Sequence, residues 1–132
     1  MRYQRPELPL KLHGFDAARD FFAGCLAETN SDRDTLWVAH VDEQSRCLHL
    51  SNHEGAAGAS ALPIAKILAD AAAHHSAGIV LAQRSGCPQP TRHDCAITKR
   101  LAAAAEVLDC TVLDHLLFTG GHCTSLRKLG CL

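Results

Sequence analysis

The 132-residue sequence contains no apolar run approaching the ~18–20 residues that a membrane-spanning helix requires, which excludes a span of that kind. It also lacks an excess of charge of either sign. Thirteen Lys and Arg stand against fourteen Asp and Glu, a formal net charge of −1, so neither nucleic acid nor an anionic membrane surface is implied as a partner. The opening residues Met1-Arg2-Tyr3-Gln4-Arg5-Pro6-Glu7 have no apolar segment behind their positive charges, so no export signal is expected and a cytoplasmic location is. The seven cysteines, at positions 25, 47, 87, 95, 110, 123 and 131, include no CxxC pair, which excludes the usual zinc-finger and thioredoxin patterns. In a reducing compartment they are expected to be thiols, most of them serving as small buried hydrophobes.

The remaining composition is that of an ordinary globular chain. With 47% hydrophobic residues, this length suits one domain that buries roughly two-thirds of its unfolded surface. Residues 1–13 read as an N-terminal arm and 14–132 as the domain. From Asp16, a plausible N-cap, Phe15, Ala18, Phe22, Cys25 and Leu26 recur at helical spacing, and Asn30-Ser31-Asp32 ends the segment. Residues 35–51 alternate around the turn-like Asp42-Glu43-Gln44-Ser45 and read as a β-hairpin. A small-residue loop, 55–59, leads to Ser60 as N-cap of a second helix. Pro63 lies in its first turn, and Ile64, Ile67, Leu68, Ala71 and His75 share a face. Residues 78–82 form a buried strand. Thr91 and Asp94 form a capping box opening a third helix, which packs through Ile97, Leu101, Ala104, Ala105 and Leu108. Residues 110–118 are a strand, Gly120-Gly121 a hairpin turn and residues 122–125 its return. The order α-β-β-α-β-α-β-β predicts a single mixed-sheet α/β (α+β) domain.

Two separated motifs carry a resemblance. Ile79-Val80-Leu81-Ala82-Gln83-Arg84-Ser85-Gly86-Cys87-Pro88-Gln89-Pro90-Thr91-Arg92-His93-Asp94 resembles the signature of the JAB/MPN (JAMM) fold, which in the RadC branch reads approximately H-N-H-P-S-G-x-P-x-P-S-x-x-D. Val112-Leu113-Asp114-His115-Leu116-Leu117, followed by Gly120-Gly121 and Thr124-Ser125-Leu126-Arg127, is similar to the RadC C-terminal hairpin. The resemblance implies a cytidine-deaminase-like three-layer fold. In active relatives it also implies a zinc held by two histidines and an aspartate, with a glutamate on an earlier strand as general base. Spacing is kept at 81, 83, 91 and 94, but the residues are Leu81, Gln83, Thr91 and Asp94. Leu81 has no lone pair, and the neutral amide of Gln83 binds zinc poorly. The strand expected to carry the glutamate, residues 46–51, holds no carboxylate, and Glu54 is placed past its end. Zinc is therefore not expected, and no catalytic residue is assigned. The family's helix-hairpin-helix region is expected to be absent, so the DNA-repair label transfers poorly.

The expectation is a non-catalytic binding or scaffold module with a protein partner or a second copy. Gln83, Arg84, Ser85, Thr91 and Asp94, with His115 nearby, form the exposed face where a ligand is sought. Asp94 reads as a first-turn carboxylate capping Thr91, and His115 as a hydrogen-bonded structural histidine. Asp114 and His115, adjacent on a strand, point to opposite faces. His74-His75 caps the second helix, and His49 and His53 are ordinary strand-end histidines. Two alternatives remain: a metal-dependent peptidase or isopeptidase rebuilt from His49 or His53 with Asp94 and His115, and a thiol enzyme using Cys87 with Arg84 or His93.

Overall fold

The structure is a computed structural model that describes residues 11–28, 35–54, 62–85 and 89–132. Its elements are α1 (Phe15–Glu28), β1 (Thr35–Val41), β2 (Cys47–Glu54), α2 (Ile64–Ala73), β3 (Gly78–Arg84), α3 (Arg92–Glu106), β4 (Thr111–Thr119) and β5 (His122–Ser125), in the order expected. The strands form one mixed sheet, β2-β1-β3-β4-β5, in which only β3 and β4 run parallel. Parallel neighbours need a crossover, and α3 supplies it.

Strand alternation sorts the core into two layers. Leu36 and Val38 of β1, Ile79 and Leu81 of β3 and Val112 of β4 pack with Ile67 and Ala71 of α2 and Leu101 and Ala105 of α3. On the opposite face, Ala39, Val41, Val80, Ala82 and Leu116 pack with Ala18, Phe22 and Cys25 of α1. The molecule is thus a three-layer sandwich, with two helices on one face and one on the other. Lys11 bridges to Arg46, and Leu12 is buried in the α1 layer.

Several boundaries differ from expectation. Asp16 lies inside the first turn of α1 rather than at its N-cap, because the helix already begins at Phe15. Pro63 is itself the N-cap of α2, and His75 lies beyond that helix with φ of 52°, outside its apolar face. Strand β3 continues to Arg84 because both polar residues at its end find partners inside the fold. Strand β2 continues to Glu54, whose backbone pairs with Thr35, so Glu54 is not past the strand end. On α3 Thr98 is buried with Leu101 and Ala105, whereas Leu108 follows the helix and is exposed. The all-thiol expectation is also corrected. Cys95 on the first turn of α3 faces Cys131 and the two are joined as a disulfide, their Cα atoms 5.2 Å apart. Cys25, Cys47 and Cys110 are buried thiols, as expected of small hydrophobes. Asn30-Ser31-Asp32, the loop 55–59, Ser60, Gly86, Cys87, Pro88 and the arm up to residue 10 lie outside the described residues.

Candidate functional site

The positions of the sequence signature meet where β3, β4 and the start of α3 come together. Leu81 pairs with His115 across the parallel β3–β4 ladder, and both are completely buried on the α2/α3 face. Two residues further along β3, Gln83 reaches back, its side-chain amide 2.6 Å from His115 Nε2. The opposite ring nitrogen, Nδ1, lies 3.0 Å from the Thr98 hydroxyl, which lies 3.0 Å from the Asp94 carbonyl. Three side chains from three elements thus form one buried chain ending on the α3 backbone.

Proton balance decides how that chain is wired. Burial, only partly opposed by the Asp94 charge, lowers the His115 pKa to about 4, so the ring is neutral near pH 7 and carries a single N–H. If the Gln83 oxygen faces Nε2, that nitrogen must donate, and Thr98 must then serve both Nδ1 and the Asp94 carbonyl with one proton. It also leaves the Gln83 NH2 buried without a partner among the described residues. Turning the nearly isosteric amide over removes the conflict. Gln83 NH2 then donates to Nε2, Nδ1–H donates to Thr98, and Thr98 donates to the carbonyl. The orphan becomes a single amide oxygen in place of a two-proton donor.

Asp94 is occupied by the helix it begins. Its backbone N–H donates to Thr91 Oγ1 at 3.0 Å and its carboxylate accepts from the Thr91 N–H at 2.9 Å, the reciprocal capping box expected from the spacing. Thr91→Ala is expected to destabilise the domain by about 1 kcal/mol. The measurement is urea unfolding, and a change below a few tenths of a kcal/mol would show that the cap contributes little.

The signature residues do not form one exposed face. Gln83 and His115 are buried, and Arg84, next along the strand, points to the opposite face, where its Nη2 donates to the Leu26 carbonyl of α1 at 2.6 Å. Ser85 donates its backbone N–H to Phe118. Asp114 and His115 do point to opposite faces. The Asp114 carboxylate accepts from the Ser125 hydroxyl and from the backbone N–H groups of His115 and Arg127. His49 and His53 share the α2/α3 face with His115, but β1 and β3 separate β2 from β4, so three strand spacings of ~4.8 Å intervene. Neither histidine is brought to Asp94 or His115. Among the described residues no group of three or more His, Cys, Asp or Glu is arranged to hold a metal ion. Cys87 lies outside the described residues.

Comparison with known proteins matches a family model, described as a RadC-like JAB domain, over residues 13–131. The chain belongs to the RadC-like JAB domain family. Among its relatives is a UPF0758 protein of Methanospirillum hungatei, 39% identical over 69 residues, which are 51% of this chain and 31% of the relative. A UPF0758 protein of Cellvibrio japonicus is 33% identical over 104 residues, 76% of this chain and 46% of the relative. That of Moorella thermoacetica is 30% identical over 104 residues, 76% of this chain and 45% of the relative. The matched part of the RadC-like chain thus spans less than half the length of each of these relatives.

The zinc that the JAB resemblance implies does not fit the residues present. At the first ligand position Leu81 offers a hydrocarbon packed in the core, at the second the Gln83 amide is joined to His115, and the Asp94 carboxylate holds the Thr91 N–H. Sequence reasoning missed Thr98, although its place one helical turn after Asp94 on the inward face of α3 was the available signal. It also missed His40 of β1, which pairs in register with His49. His40 is fully buried, with Nδ1 3.0 Å from the Ser76 hydroxyl and Nε2 without a partner among the described residues. The ring of His74, at the end of α2, stacks on His49 with centroids 4.0 Å apart. Burial first, then the His49 charge, lowers the His40 pKa to about 4.

Proposed function

We propose that this RadC-like JAB domain acts without metal chemistry, as a non-catalytic module that binds a protein partner or a second copy of itself. The observation that carries this reading is the Gln83–His115–Thr98 chain, which fills the position of the family's zinc site with groups already committed to one another. A metal entering there would have to break that chain and would find a leucine at the first ligand position. No helix of the described residues is long and apolar enough to cross a membrane, and the near-balanced charge gives nucleic acid no general foothold. We place the module in the cytoplasm.

The test is elemental analysis of protein purified without chelator. The expected result is zinc well below one equivalent, with the same trace level in Asp94→Ala. One equivalent of zinc that disappears in Asp94→Ala would overturn the reading in favour of a metal-dependent peptidase or isopeptidase with a rearranged site.

A further inference from the structure

The sheet's two faces are covered unequally. Five strands at ~4.8 Å spacing span about 20 Å, and α1, with a diameter of about 10 Å, covers only part of that width. Beside it, towards β4, a cavity of about 280 Å³ remains open. Its walls are mainly apolar, formed by Leu12, Phe15, Val80 and Leu113. Two cations stand among the lining residues. Arg127 donates from Nε to the Leu113 carbonyl at 2.6 Å, and Lys128 Nζ lies 4.0 Å from the centre of the Phe15 ring. Neither belongs to an ion pair among the described residues. The one carboxylate in the lining, Asp114, is held by three neutral donors and offsets only one of the two cations, so the lining keeps a net positive charge.

We propose that this cavity binds a small apolar monocarboxylate, its hydrocarbon against Phe15, Val80 and Leu113 and its carboxylate on Lys128 and Arg127. The size is consistent: at ~30 Å³ per water-sized group, the cavity takes roughly nine non-hydrogen atoms, close to octanoate. The site lies on the face of the sheet opposite the Gln83–His115 chain and is independent of how that chain is read.

The test uses the full chain and sodium octanoate as probe, followed by amide shifts in ¹H–¹⁵N NMR, with octylammonium as the charge-reversed control. Saturable shifts centred on Phe15, Val80 and Leu113 are expected, with Kd near or below ~1 mM and octylammonium weaker by about fivefold or more. Lys128→Glu, an exposed substitution, is expected to weaken octanoate by about fivefold with an unchanged circular dichroism spectrum. Equal binding of the two probes would overturn the proposal, as would shifts centred elsewhere or octanoate affinity unaltered in both Lys128→Glu and Arg127→Glu. Absence of saturation by ~10 mM octanoate would overturn it too, and would indicate that the cavity is a seat for the protein's own chain or for another copy.

Discussion

Between pH 6.5 and about pH 4 the domain is expected to lose on the order of 5 kcal/mol of stability, enough to unfold it from a total of about 5–15 kcal/mol. His40 and His115, both fully buried, have folded-state pKa values lowered from 6.5 to about 4. In each case the depressed value means that the unfolded chain takes up a proton which the folded chain refuses. The penalty is absent above pH 6.5, grows as pH falls through the window, and levels off below about 4. At 1.36 kcal/mol per pKa unit each residue contributes on the order of 3 kcal/mol. His53, lowered mainly by burial, adds in the same direction. The measurement is urea unfolding at intervals from pH 7.5 to 4.5. Between pH 6 and 5, above the main carboxylate range, two protons correspond to a slope near 2.7 kcal/mol per pH unit. Substituting either histidine by glutamine is expected to reduce that slope by about half, whatever it does to stability at pH 7. A slope below about 1.4 kcal/mol per pH unit, or one unchanged in both variants, would show that these rings are not neutral in the fold.

Neither buried histidine announces this in the sequence, which marks where local and non-local information part. The element order was legible because it depends on spacing within a few residues: the α1 stripe of Ala18, Phe22 and Cys25, the alternation in β1, and the Thr91/Asp94 capping box. The family signature was legible as well, and with it the loss of histidine at 81 and 83. The misread points depend on partners distant in the chain. Gln83 and Arg84 read as part of an exposed face beyond a strand ending at residue 82, yet one is bonded to His115, 32 residues away, and the other to Leu26, 58 residues away. The Cys95–Cys131 bond joins residues 36 apart, a pairing that cysteine spacing alone does not select. His40 sits on a strand whose alternation places it inside, but its neutral state follows from burial together with the His49 and His74 charges, which only the assembled sheet and α2 bring to it.

Replacing His115 by alanine is expected to destabilise the domain by about 4 kcal/mol, a fall in Tm of about 15 °C. The loss has two sources. A fully buried ring is removed from between β4 and α3, leaving a void, and Gln83 and Thr98 lose their common partner. Gln83→Leu removes only one end of the chain and deletes an amide that is left with an unpartnered polar atom, so its expected effect is smaller, about 1–2 kcal/mol, from the stranded Nε2 of His115. The combination distinguishes a connected chain from two independent contacts. With Gln83→Leu and His115→Leu together, neither polar group is left to be orphaned, and an apolar pair of similar volume packs beside Leu81. The double variant is therefore expected to be more stable than the sum of its single variants by about 1–3 kcal/mol, as read from a double-mutant cycle in urea. Strict additivity would mean that Gln83 and His115 do not act through each other. It would also remove the support that their hydrogen bond lends to a zinc position filled by the protein itself.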